Sequence, residues 1–329
     1  ESTCCSQSDV EDARQVAFGL GLEHFTFNFT GTFGCEVIDR FCDAYLHGRT
    51  PNPCIDCNRY LKFAALQRRR AQLGFDYVAT GHYARRAFNE RTGRFELRRG
   101  LDEAKDQSYV LYHLTQDDLA HMLFPLGELT KPQVRELAEK HSFGNAHKAE
   151  SQDICFVPDG DYASFIARYM GFGGDAARDD GKERAVPAAF EPGDIVDVGG
   201  KVLGRHTGLV HYTIGQRKGI GVAAPEPLYV VGKDAGKNVL VVGPRSELGV
   251  REVRAGDVNL ISVAELDRPM RVTAKTHYRQ RAQAAEAVME GDQLVVRFDE
   301  AVARPAAGQS LVIYDGDAVV GGGTIGVSE

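Results

Sequence analysis

No run of 18 or more apolar residues occurs in the 329-residue chain, which excludes a membrane-spanning helix. The first residues also lack the basic start and apolar centre of a secretory signal. Cysteine is sparse. Seven residues, unevenly spaced, cannot make the disulfide framework of a small secreted domain, and the cytoplasm is the compartment that this usage fits. No internal repeat or low-complexity tract is present. The net charge of −7 argues against a protein that coats nucleic acid indiscriminately, but not against one whose basic residues are clustered. With 43% apolar and 26% charged residues, the composition is that of a globular protein long enough for two or three domains.

Residues 1–158 read as alternating helices and strands. Ser8 and Glu11 form a capping box before Val10, Ala13, Val16, Ala17 and Leu20, with Gly21 as the stop. Phe25, Phe27 and Phe29 alternate as a strand. Helices are expected from Glu36 to His47, ending at Gly48, and from Asn58 to Leu73, ending at Gly74. Asp76 to Thr80 reads as a short buried strand that delivers Gly81 and His82 to the carboxyl end of a sheet, where doubly wound folds bind ligands. Tyr83–Arg86 and Phe95–Arg98 form a hairpin around Gly93, and Thr130 caps a helix containing Val134, Leu137 and Ala138. Gly171 to Arg184 reads as a mobile loop. Short Val-rich strands follow at 194–198, 228–231 and 239–242, then at 270–275, 294–298 and 310–314. The expected architecture is a doubly wound α/β domain over residues 1–158, a small β-rich domain over 159–248 and a C-terminal β-barrel over 249–329.

Two segments carry chemistry. Thr50-Pro51-Asn52-Pro53-Cys54-Ile55-Asp56-Cys57-Asn58 places two thiols on a proline-stiffened turn, and Ser151-Gln152-Asp153-Ile154-Cys155-Phe156 supplies a third. With Asn58 read as the cap of the following helix, Cys57 lies at a helix N-terminus, where the dipole favours thiolate. Basic pairs at Arg85-Arg86 and Arg98-Arg99, and the aromatic–basic run His277-Tyr278-Arg279-Gln280-Arg281, are candidate phosphate and base contacts; Arg68-Arg69-Arg70 fits a solvated helix face better. Cys4, Cys5, Cys35 and Cys42, and His24, His113, His121 and His141, have no motif around them and read as packing or surface residues.

These segments resemble the bacterial tRNA-specific 2-thiouridylases of the MnmA type. So do Ala79-Thr80-Gly81-His82-Tyr83, Lys105-Asp106-Gln107-Ser108-Tyr109 and His211-Tyr212-Thr213-Ile214-Gly215-Gln216-Arg217-Lys218-Gly219, in order along the chain. The resemblance implies a sulfurtransferase that uses ATP with Mg2+ to adenylate the C2 oxygen of the wobble uridine, in the anticodon loop of Glu-, Gln- or Lys-type tRNAs. It implies Cys57 as nucleophile and Cys155 as persulfide carrier, the two ending as a disulfide. Asn52, Pro53 and Cys54 fall on the target-base contacts and Gly81 on the adenylate contact. His82, Lys105, Asp106, Gln107, Tyr278, Arg279 and Gln309 fall on tRNA contacts. The sulfur would arrive from a cysteine desulfurase or a relay protein. The family opens with a Gly-rich Ser-Gly-Gly-Val-Asp-Ser-Ser loop for phosphate, absent between Glu1 and Glu329; the 329 residues are therefore expected to bind tRNA, to bind ATP poorly and not to thiolate. Gly321-Gly322-Gly323 is no substitute, because it reads as a strand turn with no helix behind it.

Cys54 departs from members with Asp at this place. Cys-x-x-Cys with one distant cysteine is compatible with a redox pair, with half of a zinc site, or with three ligands of an iron–sulfur cluster (Cys54, Cys57 and Cys155). Zinc is disfavoured by the lack of a second pair. Persulfide chemistry, a cluster-dependent version of the same thiolation, and a tRNA-binding or thiol-redox protein without ATP chemistry are the readings that the residues leave open.

Overall fold

A computed structural model describes residues 7–148, 154–172 and 185–326. In the first part, helix Gln7–Gly19 leads through Gly21, at a φ of 68°, into an extended segment. Thr30–Phe33, Gly34–Ile38 and Asp39–Leu46 then run on as one helix, as do Pro53–Asp56, Cys57–Phe63 and Ala64–Leu73, each with a wide π-type stretch inside. Strand β1 (Val78–Ala79) precedes the hairpin of β2 (Ala84–Asn89) and β3 (Arg94–Arg99). Strand β4 (Met122–Leu123) pairs with β1 in parallel, with Val78 opposite Met122. Helix Lys131–Lys140 carries the expected capping box, here between Thr130 and Gln133.

Helix Tyr162–Met170 leads to the middle domain. There β5 (Gly193–Asp197), β6 (Val202–His206), β7 (Tyr229–Asp234) and β8 (Val239–Gly243) form a sheet ordered β6-β5-β8-β7 around Ile195, Leu209, Val230, Leu240 and Val242. The C-terminal strands are β9 (Gly249–Leu260), β10 (Met270–Lys275), β11 (Gln283–Glu290), β12 (Gln293–Ala303), β13 (Ser310–Asp315) and β14 (Ala318–Ile325). They close into a six-stranded barrel through the β13–β14 pairing.

The structure departs from the sequence reading at several points. Phe25 to Phe29 is not a strand: among the described residues no neighbouring strand takes its backbone groups, and Phe25 is 64% exposed while Phe27 packs under Arg69. Helix Gln7–Gly19 buries none of its residues fully, so its apolar row is not a core face among the described residues. The glycine run 321–323 lies inside β14, not at a turn. A Cβ on Gly322 would stand 2.7 Å from the Leu311 carbonyl oxygen and 2.8 Å from the Tyr112 ring, so glycine is required by close approach. The expected loop at 171–184 lies outside the described residues beyond Phe172. No helix among the described residues is long and apolar enough to cross a membrane.

The first domain and the barrel share one core. Ile55, Phe63, Tyr109, Leu111 and Leu119 pack with Ile261, Val312, Tyr314 and Val319. The β2–β3 hairpin extends the barrel sheet, with Arg98 opposite Ala318 on β14 and the Arg99 amide donating to Asp317 O at 2.8 Å. Tyr109 Oη donates to Ser310 O at 2.8 Å, and Asn259 Nδ2 to the carbonyls of Tyr112 and Leu114. Overpacking at such a seam costs about 1–3 kcal/mol. Gly322→Ala should therefore lower the denaturant midpoint of both domains together, measured by urea titration with separate probes in each.

Candidate functional site

The segment carrying Cys54 and Cys57 is built by capping. Asn52 has an extended backbone, its Oδ1 accepts from the Cys54 amide at 3.1 Å, and Pro53 occupies the first helical position. The helix thus begins at Pro53, earlier than the sequence reading placed it. Asn58 is not its cap: it is buried inside the helix and donates from Nδ2 to Val110 O at 3.2 Å. Cys54 is exposed in the first turn, and Cys57 is half-buried one turn along, where the wide stretch begins.

The loop before this helix is tied to the barrel. The Thr50 amide donates to Ala307 O at 2.7 Å, Gln309 Nε2 donates to Thr50 O at 2.7 Å, and Gly308, at a φ of 90°, packs against Arg49, Thr50 and Pro51. Gln309, expected at the tRNA surface, thus holds the Pro-Asn-Pro loop through its amide. Cys155 lies half-buried on a turn closed by Val157 N to Ile154 O at 2.9 Å. Its neighbour Phe156 is wedged among Phe33, Phe41 and Phe165 at ring distances of 5.2–5.8 Å. Residues 151–153 of its motif lie outside the described residues.

Gly81 follows β1 and is exposed, as expected of a position at the carboxyl end of a sheet, with Leu126 the nearest atom to an added Cβ at 3.6 Å. His82 instead turns inward. It is 8% exposed, Thr80 Oγ1 lies 2.9 Å from its Nδ1, and its ring meets Phe63 and Phe124. Burial, with the Lys62 charge nearby, pushes its pKa down to about 4, so the ring is neutral and part of the core.

The Lys105-Asp106-Gln107 turn meets the barrel at a cleft of about 810 Å3 lined by Arg99, Asp106, Lys275, Tyr278, Arg279 and Arg281, among others. Asp106 shapes the turn, accepting from the amides of Gly100 and Ser108 and from Ser108 Oγ. Gln107 is pinned to Tyr83 by a reciprocal pair of 2.9 Å bonds. The Lys105 amide donates to Asp102 O at 3.0 Å. Tyr278 stands 6.0 Å from Tyr109, and the Lys275 ammonium lies 5.8 Å from the Tyr278 ring and 5.6 Å from that of Tyr109. Burial lowers the Lys275 pKa. Cations beside aromatic faces suit a phosphate backbone with unstacked bases. Lys275 was missed in the sequence although it lies on the same strand end, two residues before His277. Arg85, Arg86 and Arg98, by contrast, are structural ties, to Arg99 O and Asp317, to Met122 O, and to Glu96 respectively.

A second cavity, of about 400 Å3, opens between the 30–46 helix, the start of the 53–73 helix and the barrel. Asn52, Asp56, Arg59 and Tyr60 line it, one helix face at spacings of three to four residues, while Cys54 and Cys57 turn to the other side. The Asp56 carboxyl, pushed up to about 6 by burial, is the titratable group that sequence reasoning passed over. Among the described residues no three His, Cys, Asp or Glu side chains are gathered to hold a metal ion, so Cys54, Cys57 and Cys155 do not form a cluster cradle as arranged.

Three family models match: a tRNA methyl transferase HUP domain over residues 1–159, a tRNA methyl transferase PRC-barrel domain over 184–244, and an aminomethyltransferase β-barrel domain over 250–325. The chain is 47% identical to tRNA-specific 2-thiouridylase MnmA 1 of Thermoanaerobacter sp. (strain X514), over 99% of this chain and 85% of that protein. It is also 47% identical to tRNA-specific 2-thiouridylase MnmA of Moorella thermoacetica, over 99% and 87%. The chain belongs to the tRNA-specific 2-thiouridylase MnmA family. The α/β, β-rich and β-barrel order expected from sequence is the HUP, PRC-barrel and β-barrel order of this family.

His82 and His113 give the first domain of this family member an acid sensitivity. His113 is 8% exposed with neither ring nitrogen hydrogen-bonded among the described residues, and burial, then Arg59, lowers its pKa to about 3. Both histidines have folded pKa values below the unfolded 6.5, so the unfolded state binds more protons and stability falls as pH drops from 6.5 towards 4. Asp56, raised from 3.8 to about 6, acts in the opposite sense over most of that window, from about pH 6 downward. Each histidine contributes a slope of about 1.4 kcal/mol per pH unit. His113→Phe should remove one such slope, read from urea midpoints between pH 7 and 4.

Proposed function

We propose that this chain is a tRNA-uridine 2-sulfurtransferase that converts the C2 oxygen of the wobble uridine to sulfur at the expense of ATP. The observation that carries the reading is the 47% identity over 99% of the chain to proteins named tRNA-specific 2-thiouridylase, with the thiol-bearing helix and the Cys155 turn in place. ATP, accompanied by Mg2+ as part of the substrate, transfers AMP to the C2 oxygen and releases pyrophosphate, with Gly81 at the nucleotide. Cys155 carries the incoming sulfur as a persulfide. Cys57 attacks the Cys155 sulfur; the terminal sulfur leaves with the bond electrons and adds at C2, and AMP departs with the former C2 oxygen. The products are 2-thiouridine, AMP and a Cys57–Cys155 disulfide, which two electrons from a thiol reductant reopen.

Asn52, Pro53 and Cys54 would face the target base. Asp106, Tyr278 and Arg279, brought together at the larger cleft, would meet the tRNA with Lys105; Gln107, Gln309 and His82 would act by holding those surfaces in place. Tying the Pro-Asn-Pro loop fixes the angle at which a flipped base meets the thiols. Glu-, Gln- and Lys-type tRNAs, a cysteine desulfurase or relay protein as donor, and a cytoplasmic location complete the reading. A cluster held by Cys54, Cys57 and Cys155 is not supported by their arrangement, and no step is routed through one.

In tRNA thiolation assays, Cys57→Ser and Cys155→Ser should each abolish product, whereas Cys35→Ser should be nearly silent. Thiolation surviving Cys155→Ser would remove the persulfide assignment. Anaerobically purified protein should be colourless and iron-free while fully active; a brown chromophore lost in Cys54→Ser would restore the cluster mechanism.

A further inference from the structure

A further cavity, of about 460 Å3, lies where the three domains meet. Its walls are the β7–β8 hairpin of the middle domain, the His47–Gly48 helix end of the first domain, and residues 304–307 between β12 and β13 of the barrel. The walls approach closely: a Cβ on Gly48 would stand 3.6 Å from that of Ala235. Two cations face this cavity with no carboxylate paired to either among the described residues. Lys233 is half-buried, and its ammonium donates to Tyr212 O at 2.8 Å. A lysine ammonium carries three donors, so two remain. Arg304 is fixed by its amide, which donates to Leu248 O at 2.6 Å, while its Nε is buried with no hydrogen-bond partner among the described residues. The other ionisable groups of the lining are already engaged. Asp234 pairs with Lys237 at 3.4 Å and accepts from the Lys237 amide at 3.0 Å, and His47 Nδ1 lies 2.8 Å from Asp43 O.

Such a lining fits an anion. Two unmatched positive charges and three unmatched N–H groups correspond to a phosphate dianion, whose oxygens accept several charge-assisted bonds at once. A carboxylate would neutralise only one of the two charges. Burial pushes the Lys233 pKa down to about 8, which leaves the ammonium mostly charged at neutral pH. The cavity is larger than a phosphate, and Ile214, Val231, Pro305 and Ala307 give it an apolar side for a small body attached to one. We propose that this junction binds a phosphate group, free or carried on a small phosphomonoester, between Lys233 and Arg304, and so clamps the middle domain to the barrel. Ala307 belongs to the same wall, and its carbonyl accepts from the Thr50 amide at 2.7 Å. The clamp therefore bears on the loop that leads into the thiol-bearing helix. The site shares no lining residue with the tRNA-facing cleft and stands or falls apart from the sulfur-transfer reading.

Calorimetric titration of the full chain would use inorganic phosphate, phenyl phosphate, and benzoate as the monoanionic counterpart of the second. Wild-type protein should bind phenyl phosphate at one site per chain, and benzoate roughly tenfold or more weakly. Phenyl phosphate binding more tightly than inorganic phosphate assigns the site to a phosphomonoester, and equal binding assigns it to free phosphate. Lys233→Gln and Arg304→Gln should each weaken phosphate binding roughly tenfold or more, whereas Arg279→Gln, in the other cleft, should leave it unchanged. Hydrogen exchange on the wild-type protein needs no variant: phosphate should slow exchange at residues 233–237 and 304–308. No binding at millimolar phosphate, full affinity in folded Lys233→Gln, or no slowing at either of those segments would overturn the inference.

Discussion

The arrangement of the site depends on two hydrogen bonds between the Pro-Asn-Pro loop and the barrel, from Thr50 N to Ala307 O and from Gln309 Nε2 to Thr50 O. Without them, prolines on either side of Asn52 would stiffen a loop that still swings as a unit. With them, the N-terminus of the thiol-bearing helix is referenced to a closed barrel. Asn52 then sets the start of the helix, and helical spacing sends the cysteines to one side and Asp56, Arg59 and Tyr60 to the other.

The shared core extends this referencing to the tRNA cleft. Tyr109 sits in the core under the 105–107 turn, bonds to Ser310 of the barrel and faces Tyr278. The cleft is therefore lined from both domains but has one foundation, and its cations are held beside aromatic rings whose positions packing decides. The buried His82 belongs to the same foundation, directly behind the exposed Gly81.

Much of this was legible in the sequence wherever the signal is local. Strand β10 occupies the residues its alternation predicted, and the helices end before Gly48 and Gly74 because glycine takes the left-handed conformation found there, at φ of 72° and 73°. The thiol motifs and the aromatic–basic run were readable because their composition is unusual. What failed depended on distant partners. Asn52 and Asn58 are both acceptable caps by sequence, and only the Val110 carbonyl, 52 residues away, shows that Asn58 is occupied elsewhere. Phe25 to Phe29 alternates like a strand, but alternation does not supply a neighbour. Arg85, Arg86 and Arg98 look like phosphate contacts until the carboxylates and carbonyls that claim them are located. Asp56 was in plain view within the quoted motif; its burial against the 30–46 helix and the barrel was not.

The β2–β3 hairpin has a consequence for how the molecule is made. Its outer partner is β14, and the Arg85–Asp317 pair links residues 232 positions apart. A ribosome therefore releases the hairpin long before the strand that completes its sheet. The first domain must wait, partly uncovered, until nearly the whole polypeptide has emerged. Loop closure over such a distance makes assembly slow and places it late in synthesis. Chains that stop short of the last strand would lack a finished substrate cleft as well as a closed barrel, so that translation to the end is itself a condition of competence.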